Sequence, residues 1–319
     1  MAPLALCRNK IRILNFDDSI LKQRNLLRDF SVPPFLTKIV DCTSEAPYLR
    51  YWADRKGLER LQHKLSPQER NITTLYGSGD FHHISIALLA QFAQPISLVV
   101  FDHHPDWDGL PPQLSCGSWV NTVAARENVK KVILLGPSCE DLSTRGLLTA
   151  SFCGLRNRKV EIFPYSRPPA KVFLRPLDGV SCLNTKKGYF CSTIQWQNLA
   201  EKSIESFLEE LAARIPTDDI YISIDKDCLT RAHAVTNWEE GSIPLDWLLA
   251  AIGILKSKKN VAGMDITGEY SSIYLRSLVK RVISFFDHPK NTFLAQDLER
   301  INALNEITNL KILQSVLAS

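Results

Sequence analysis

The sequence predicts an α/β protein, built as a single-domain parallel sheet with helices on both faces. Strand-like runs alternate with helix-like runs along the chain, as in parallel sheets whose strands are joined by helices. Several of the strand-like runs are apolar throughout, which is typical of strands covered on both faces. A chain of 319 residues that is 45% hydrophobic can bury one large core, so we expect one domain over residues 1–319.

The individual elements follow from composition and periodicity. The predicted strands are short, β-favouring runs at 10–16, 71–76, 95–101, 131–135, 159–163, 219–224 and 260–264. The predicted helices lie at 84–92, 199–215, 244–256 and 293–317, the last as one helix or two. The helix at 199–215 is the clearest, because its apolar residues keep helical spacing and Pro216 stops it.

Positive charge is concentrated in one segment. The net charge of +4 is mild for this length and gives no indication of nucleic-acid binding. Five cations and one anion lie between Arg167 and Lys187, within an irregular basic insertion around residues 165–195 that also contains prolines. Two interpretations stay open, a solvated surface insertion or a rim that guides an anionic partner or an extended substrate.

The spacing of the cysteines and the length of the apolar runs predict the cellular location of the protein. The eight cysteines are scattered without a Cys-x-x-Cys pair, and the first residues show no basic segment leading into a long apolar stretch. We therefore expect reduced thiols, no secretory signal and a cytoplasmic location. The longest apolar runs, such as residues 247–255, are too short to cross a bilayer, so we expect no membrane partner.

The pentad Asp102-His103-His104-Pro105-Asp106 is the most informative stretch of the chain. It directly follows the apolar strand predicted at 95–101. In an extended segment alternate side chains share a face, so we expect Asp102, His104 and Asp106 to point the same way. Two carboxylates and an imidazole on one face suit a divalent cation.

Two further strand ends carry related chemistry. One reads Gly77-Ser-Gly-Asp-Phe-His82-His83, and the other reads Ser223-Ile-Asp225-Lys-Asp227. Functional groups of open parallel sheets gather beyond the carboxyl ends of the strands, so these fragments should converge with the pentad. A single aspartate at such a place is often only a helix cap or turn residue, but three such strand ends together favour a site.

The charge of this cluster predicts its cofactor. Four buried aspartates at 102, 106, 225 and 227 are untenable without cations, and two divalent ions would neutralise them. Carboxylates with one or two imidazoles suit manganese better than a metal that prefers thiolates. Cys116 and Cys228 lie nearby in sequence, but neither has a spacing that indicates zinc.

These motifs resemble the three signatures of the ureohydrolase superfamily, the arginases and agmatinases. The resemblance covers roughly residues 70 to 270 in order and spacing, and the second and third motifs are specific. It implies an arginase-like three-layer sandwich and a manganese-dependent C–N hydrolase of linear amidines that holds two Mn²⁺ ions per chain. In this family one ion takes the residues matching His82, Asp102, Asp106 and Asp225, and the other those matching Asp102, His104, Asp225 and Asp227.

The resemblance also implies a reaction. Hydroxide adds to a guanidinium carbon, Asp106 accepts the hydroxyl proton, and the intermediate collapses to an amine and urea. The family uses a glutamate after a later strand to bind the guanidinium, and Glu269 is the candidate here. The segment Thr236-Asn-Trp-Glu-Glu240 is similar to the family's substrate-side loop, which makes Thr236 a candidate substrate-binding residue.

The chain departs from the family pattern in three places. Phe81 adds one residue to the first motif, so His82 is the preferred ligand and His83 the alternative. No histidine follows the pentad where the family has its proton shuttle, and His233 is a speculative replacement. The residues after Asp106 also lack the polar loop with which arginases grip a free amino acid.

One branch of the superfamily converts arginine side chains in peptides to ornithine, and the missing amino-acid grip fits that branch. A guanidino group in a peptide is therefore the preferred substrate. An agmatinase-type small substrate, a deacetylase-like amide hydrolase and a catalytically degenerate metal-binding scaffold stay open as alternatives. Superfamily members often form trimers or hexamers, which leaves a homo-oligomer open.

Overall fold

The computed structural model describes residues 10–31, 36–65, 70–112, 114–173, 183–288 and 293–317. Within these ranges the chain alternates strands and helices. The strands, numbered along the chain, are β1 (Lys10–Asn15), β2 (Leu36–Asp41), β3 (Ile72–Leu75), β4 (Ile96–Phe101), β5 (Val129–Gly136), β6 (Val160–Pro164), β7 (Ala170–Phe173), β8 (Leu183–Lys187), β9 (Cys191–Trp196), β10 (Asp219–Asp225) and β11 (Asn260–Thr267).

The α-helices are mostly short, with one long helix near the end of the chain. In order they are α1 (Arg24–Phe30), α2 (Ala46–Leu49), α3 (Arg55–Lys64), α4 (Ser85–Leu89), α5 (Trp119–Ala124), α6 (Cys153–Arg156), α7 (Ile204–Arg214), α8 (Leu245–Lys258), α9 (Leu278–Asp287) and α10 (Ala295–Leu317). None of the described helices combines the length and apolar character that a membrane crossing requires.

Eight strands form one parallel sheet in the order β2-β1-β3-β11-β10-β4-β5-β6. Connections between parallel strands are right-handed crossovers. Where successive strands are added towards one edge of the sheet, the connecting helices lie on one face, and where they are added towards the other edge, the helices lie on the opposite face. Accordingly α3, α4 and α5 pack in one group, and α1, α7, α8 and α10 are linked by contacts in another. The predicted fold class, a parallel sheet covered by helices on both faces, is confirmed.

All seven predicted strands are present, with ends shifted by at most a few residues. The predicted helix at 84–92 is present but shorter, as α4, and a 3₁₀ helix (Gly79–Ile84) precedes it. The predicted helix at 199–215 is shorter than expected, since α7 begins at Ile204. The last segment forms a single helix, α10.

The basic insertion is more regular than predicted. Strands β7, β9 and β8 form a small antiparallel sheet in that order, so the described part of the 165–195 insertion is not an irregular arm. Residues 174–182, which include the cation Arg175, lie outside the described ranges. Arg167 binds back onto the main body through the carbonyl of Ser138 and the carboxylate of Glu140.

Candidate metal centre

Four central strands end at one level of the sheet. The register aligns Leu75 of β3, Ile266 of β11, Ile224 of β10 and Phe101 of β4 in a single row. The order of the strands in the sheet differs here from their order in the sequence. β4 follows β3 in the sequence, but β11 lies next to β3 in the sheet. Segments that follow the four strands therefore meet above the middle of the sheet.

One group of possible ligands comes from the segments after β3 and β4. His82, Asp102 and Asp106 offer ligand atoms within 4.8 Å of one another. The Nδ1 atom of His82 lies 2.9 Å from Oδ2 of Asp102 and 3.3 Å from Oδ2 of Asp106. All three side chains are buried.

A second group shares one of these residues. Asp102, His104 and Asp227 also offer ligand atoms within 4.8 Å of one another. The Nδ1 atom of His104 lies 3.0 Å from Oδ2 of Asp227 and 3.8 Å from Oδ1 of Asp102. Asp102 therefore faces both groups, as a carboxylate that bridges two cations would.

Asp225 stands beside the first group, with Oδ2 3.7 Å from Nδ1 of His82. Two glycines make room for its carboxylate. A Cβ on Gly79 would lie 2.5 Å from Oδ2 of Asp225, and a Cβ on Gly268 would lie 2.3 Å from Oδ1. Gly268 also has φ +84°, which other residues rarely adopt. The chain thus brings together all six residues that the sequence predicted as ligands.

The polar atoms of the two ligand groups suit ligation of a metal better than hydrogen bonding to one another. Oδ2 of Asp102 and Nδ1 of His82 are fully buried and make no hydrogen bond, although buried polar groups are normally paired. Burial and neighbouring carboxylates raise the pKa of Asp102, Asp225 and Asp227. A divalent cation would ligate the unpaired atoms and offset this repulsion. The oxygen-rich donor set suits manganese.

A buried hydroxyl and carboxylate orient His82 from behind. Its Nε2 lies 2.9 Å from Oγ of Ser223, and that hydroxyl donates to Oδ1 of Asp265 over 2.7 Å. Ser85 and Tyr76 also donate to Asp265. Such partners fix the ring so that Nδ1 faces the cluster.

Neighbouring histidines take other positions. His83, the alternative ligand, is fully buried outside both groups, and burial lowers its pKa to about 3. His103 uses its backbone N–H to donate to Asp227, and burial lowers the pKa of its ring to about 4. The geometry thus favours His82 over His83 and leaves His103 to packing.

The pentad presents its side chains differently from the prediction. β4 ends at Phe101, so residues 102–106 form a loop and not an extended strand with alternating faces. Asp106 has φ +47°, a strained conformation for an aspartate that loop packing must hold. Trp119, which sequence analysis did not single out, donates from Nε1 to Oδ2 of Asp106 over 2.6 Å and orients it.

A cavity of about 380 Å³ opens above the two groups. Aromatic side chains of Tyr51, Trp52 and Trp238 form part of its wall. None of the described residues that line it is a lysine or arginine. The carboxylates that line it are Asp102, Asp106, Asp108, Glu140, Asp141, Asp225, Asp227, Glu239 and Asp287. This acidic wall favours a cation, and none of its described residues belongs to the basic insertion.

Glu269, the predicted guanidinium-binding residue, lies elsewhere. It is fully buried, bonded to Nζ of Lys226 and, over 2.7 Å, to Nδ2 of Asn309. It is not among the described residues that line the cavity. Gly268 occupies the position nearest Asp225, so the glutamate one residue later turns away. Its position supports a structural role, as the partner of a buried lysine.

Thr236, the predicted substrate-binding residue, is likewise buried and off the cavity wall. Its Oγ1 accepts a hydrogen bond from the backbone N–H of Trp238 over 3.0 Å. Thr236 therefore shapes the loop that places Trp238 in the wall. Glu239 of the same loop lines the cavity, while Glu240 pairs with Arg231.

The speculative shuttle His233 is also absent from the described wall, and its backbone is held by Thr230 and Thr308. A different histidine, His288 at the end of α9, hydrogen-bonds the wall residue Tyr51. Sequence analysis missed His288, since neither a motif nor a predicted strand end points to it.

Comparisons with known proteins agree with this fold. No protein-family model matches the chain. An uncharacterized protein of Thermotoga maritima is 24% identical over 259 residues, which are 81% of this chain and 79% of that protein. An arginase of Bacillus subtilis superposes with a TM-score of 0.61 at 12% identity, covering 97% of this chain and 99% of that one.

Other solved structures give the same picture. A formimidoylglutamase of Bacillus subtilis has a TM-score of 0.60 at 16% identity, covering 98% of this chain and 88% of that one. An agmatine ureohydrolase of Thermoplasma volcanium has a TM-score of 0.53 at 12% identity, with 96% and 92% covered. This chain therefore shares the fold of these arginase, formimidoylglutamase and agmatine ureohydrolase structures.

Proposed function

We propose that this protein is a dinuclear manganese hydrolase that cleaves a guanidino group to an amine and urea. The observation that carries the proposal is the pair of ligand groups that share Asp102, placed beneath an acidic cavity in this fold. His82, Asp102, Asp106 and Asp225 would hold one ion, and Asp102, His104, Asp225 and Asp227 the other. Two groups support this reaction over a single-ion amide hydrolase of the deacetylase type.

The metals would supply one piece of chemistry, lowering the pKa of a water so that hydroxide is available near neutral pH. The remaining steps depend on the chain's own residues. Carboxylates of the cavity wall attract and orient the planar guanidinium, and aromatic rings such as Trp238 offer faces to its charge. Asp106, oriented by Trp119, accepts the hydroxyl proton as the intermediate collapses.

The preferred substrate is an arginine side chain within a peptide, which would become ornithine. A free amino acid carries an α-carboxylate, and none of the described wall residues is a cation that could pair with it. The outer carboxylates, such as Glu140 and Asp287, would repel that group instead. In a peptide the carboxylate is an amide, so this repulsion is absent.

A second candidate is an agmatinase-type reaction on a small diamine-like guanidine. The outer wall carries Asp108, Glu140, Asp141 and Asp287 beyond the ligand groups. A compound with a second positive charge and no carboxylate would complement both the inner and outer carboxylates.

A substrate panel tests the proposal. Chelator-treated protein is reloaded with Mn²⁺, its metal content is measured, and urea is assayed with a blocked arginine peptide, agmatine and free arginine. We expect two ions per chain, urea from the peptide or from agmatine, and at least about tenfold lower kcat/KM for free arginine. The peptide should also lose CH₂N₂ in mass.

Two variants serve as controls. Asp106→Asn should abolish urea release, and Glu239→Gln, in the outer wall, should chiefly raise KM. If the loaded protein binds two ions but releases no urea from any guanidino compound, the degenerate scaffold replaces the enzyme. If it binds no transition metal, both interpretations fail.

A further inference from the structure

A line of hydrogen bonds leads from the cavity wall to a buried carboxylate. The hydroxyl of Tyr51, a wall residue, lies 3.2 Å from Nδ1 of His288. The Nε2 atom of His288 lies 2.8 Å from Oδ1 of Asp80. Tyr51 and Asp80 are buried, and the side chain of His288 is 6% exposed. Nothing in the ligand groups requires the three to be connected.

The backbone holds Tyr51 in a fixed and unusual conformation. Its φ is +75°, which a bulky residue adopts only when its surroundings impose it. Its N–H donates to the carbonyl of Asp80 over 2.9 Å, and its own carbonyl accepts from the N–H of Cys116 over 2.9 Å. These two backbone bonds fix the segment that carries the phenol, whose hydroxyl faces Nδ1 of His288.

Asp80 is held as an anion at the far end of the line. Its partner is the guanidinium of Arg50, which is always positively charged. The Nε of Arg50 lies 2.6 Å from Oδ2, and Nε1 of Trp238 donates to Oδ1 over 3.0 Å. A carboxylate only accepts, so Nε2 of His288 carries a hydrogen and Nδ1 faces Tyr51.

An alkylamide anion is too basic to leave without a proton. Because Asp106 is taking up the hydroxyl proton at that moment, a second donor on the wall would let the C–N bond break without waiting for Asp106 to pass its proton on. Apart from the ligand groups, the described wall side chains with an O–H, N–H or S–H group are Tyr51, Trp52, Ser115, Cys116, Cys139 and Trp238. Of these, Tyr51 is the one whose hydrogen-bond partner is an imidazole.

We propose that Tyr51 protonates the departing nitrogen, that His288 positions Tyr51 and returns a proton to it, and that Asp80 positions His288. This inference rests on the proposed function. As the C–N bond breaks, its electron pair stays on nitrogen, Tyr51 gives that nitrogen its hydroxyl proton, and a proton carried on Nδ1 of His288 passes to Tyr51.

The remaining protons balance. The hydroxyl proton of the intermediate goes to Asp106, so urea and a neutral amine are formed. Asp106 then protonates the amine to its cation, and His288 regains a proton from the water that becomes the next hydroxide. The sum is guanidinium plus water giving urea plus ammonium.

Burial raises the pKa of Tyr51, so its phenol does not ionise by itself and must receive a proton as it gives one. The charged groups that face His288 are Asp80, with its partner Arg50, and the adjacent Asp287. Ser284, one turn earlier in α9, places Oγ 2.9 Å from Nδ1 and competes with Tyr51 for that atom.

The test compares two leaving groups in one peptide, arginine and its guanidinooxy analogue canavanine. The analogue leaves as a far less basic alkoxyamine and needs less protonation. Tyr51→Phe should lower kcat on the arginine peptide by about 100-fold, with KM and metal content unchanged, and on the canavanine peptide by less than about tenfold. Tyr48→Phe, an exposed phenol off the cavity wall, is the matched control and should match the wild type.

His288→Gln tests the second member of the line with the same two peptides. It should lower kcat on the arginine peptide more than on the canavanine peptide, with metal content unchanged. Equal losses on both peptides in either variant would overturn the relay while leaving the proposed function intact. No urea from the wild type with either peptide would overturn both.

Discussion

Ser223 controls the ligand cluster without belonging to it. Its hydroxyl lies between Nε2 of His82 and Oδ1 of Asp265, so it decides which way the imidazole faces. The serine of the Ser-x-Asp-x-Asp motif therefore has a role at the proposed site, as its two aspartates do.

We expect Ser223→Ala to weaken metal binding by about 10–100-fold, because the imidazole loses the partner that orients it. Metal affinity is measured by titration with Mn²⁺ in competition with a chelator. Thr217→Ala is the matched control, since that residue's buried hydroxyl bonds to Ser97 near the start of β10, away from the cluster. Equal losses in both variants would contradict the role of Ser223.

Arg50 and Asp80 form a buried ion pair next to the cavity. Arg50→Met should cost about 3–5 kcal/mol of unfolding free energy, because it leaves a buried carboxylate without its main partner. Urea denaturation measures this cost. The double variant Arg50→Met/Asp80→Asn should recover part of the loss, and a single-variant cost below about 1 kcal/mol would refute the pairing argument.

The six residues that the sequence predicted as ligands lie together in the structure, but the residues around them were not predicted. Asp102, His104 and Asp106 were predicted from their spacing, although they lie in a loop and not in the extended segment that the spacing assumed. The backbone turns at Gly268, and the side chain of Glu269 bonds to Lys226 away from the described cavity wall. Tyr51 and His288 could not be found, since both depend on contacts between segments distant in sequence.

At the scale of elements, prediction succeeded for the buried strands but not for every short helix, since α3 and α5 also bury apolar residues and were missed. Edge strand β2 was missed, as Ile39 is half exposed there and polar residues interrupt the run. Helix α9 was missed for a different reason. Its outer side exposes Phe285 and Phe286, while Lys280 is buried, so its hydrophobic pattern does not mark the buried face.

Lys280 connects α9 to the segment that carries Tyr51. Its Nζ donates to the carbonyls of Tyr48, Arg50 and Trp52 over 2.6 to 2.7 Å. Replacing it leaves buried acceptors unpaired, and each such group costs about 1–3 kcal/mol.

Lys280→Met should therefore destabilise the fold by about 3 kcal/mol or more and speed amide exchange in residues 48–52. Hydrogen exchange with mass spectrometry resolves the segment. Lys256→Met removes similar bonds to Ser315 and Val316 and should speed exchange only around α8 and the end of α10. Unchanged exchange at 48–52 in Lys280→Met would show that another contact holds the loop.

At the scale of the whole molecule, net charge and site charge have opposite signs. The chain carries +4 overall, yet the described wall of the cavity contains nine carboxylates and no lysine or arginine. The acidic cavity costs stability unless cations fill it. Net charge alone therefore could not have predicted the kind of partner that the cavity favours.

Asp225→Asn should have opposite effects with and without metal. Without metal it should stabilise the fold by about 1–3 kcal/mol, since it removes one of several crowded carboxylates. With Mn²⁺ in excess the wild type should gain about 2.7 kcal/mol for each ion at 100 times its Kd, and the variant less. Thermal unfolding with and without Mn²⁺ measures the reversal, and destabilisation in both conditions would contradict it.

The position of Asp102 between the two ligand groups has a consequence for assembly. If an ion in one ligand group orients the carboxylate of Asp102, its other oxygen then faces the place of the second ion. The first ion to arrive therefore prepares the place of the second, and loading should be cooperative, with few chains holding a single ion.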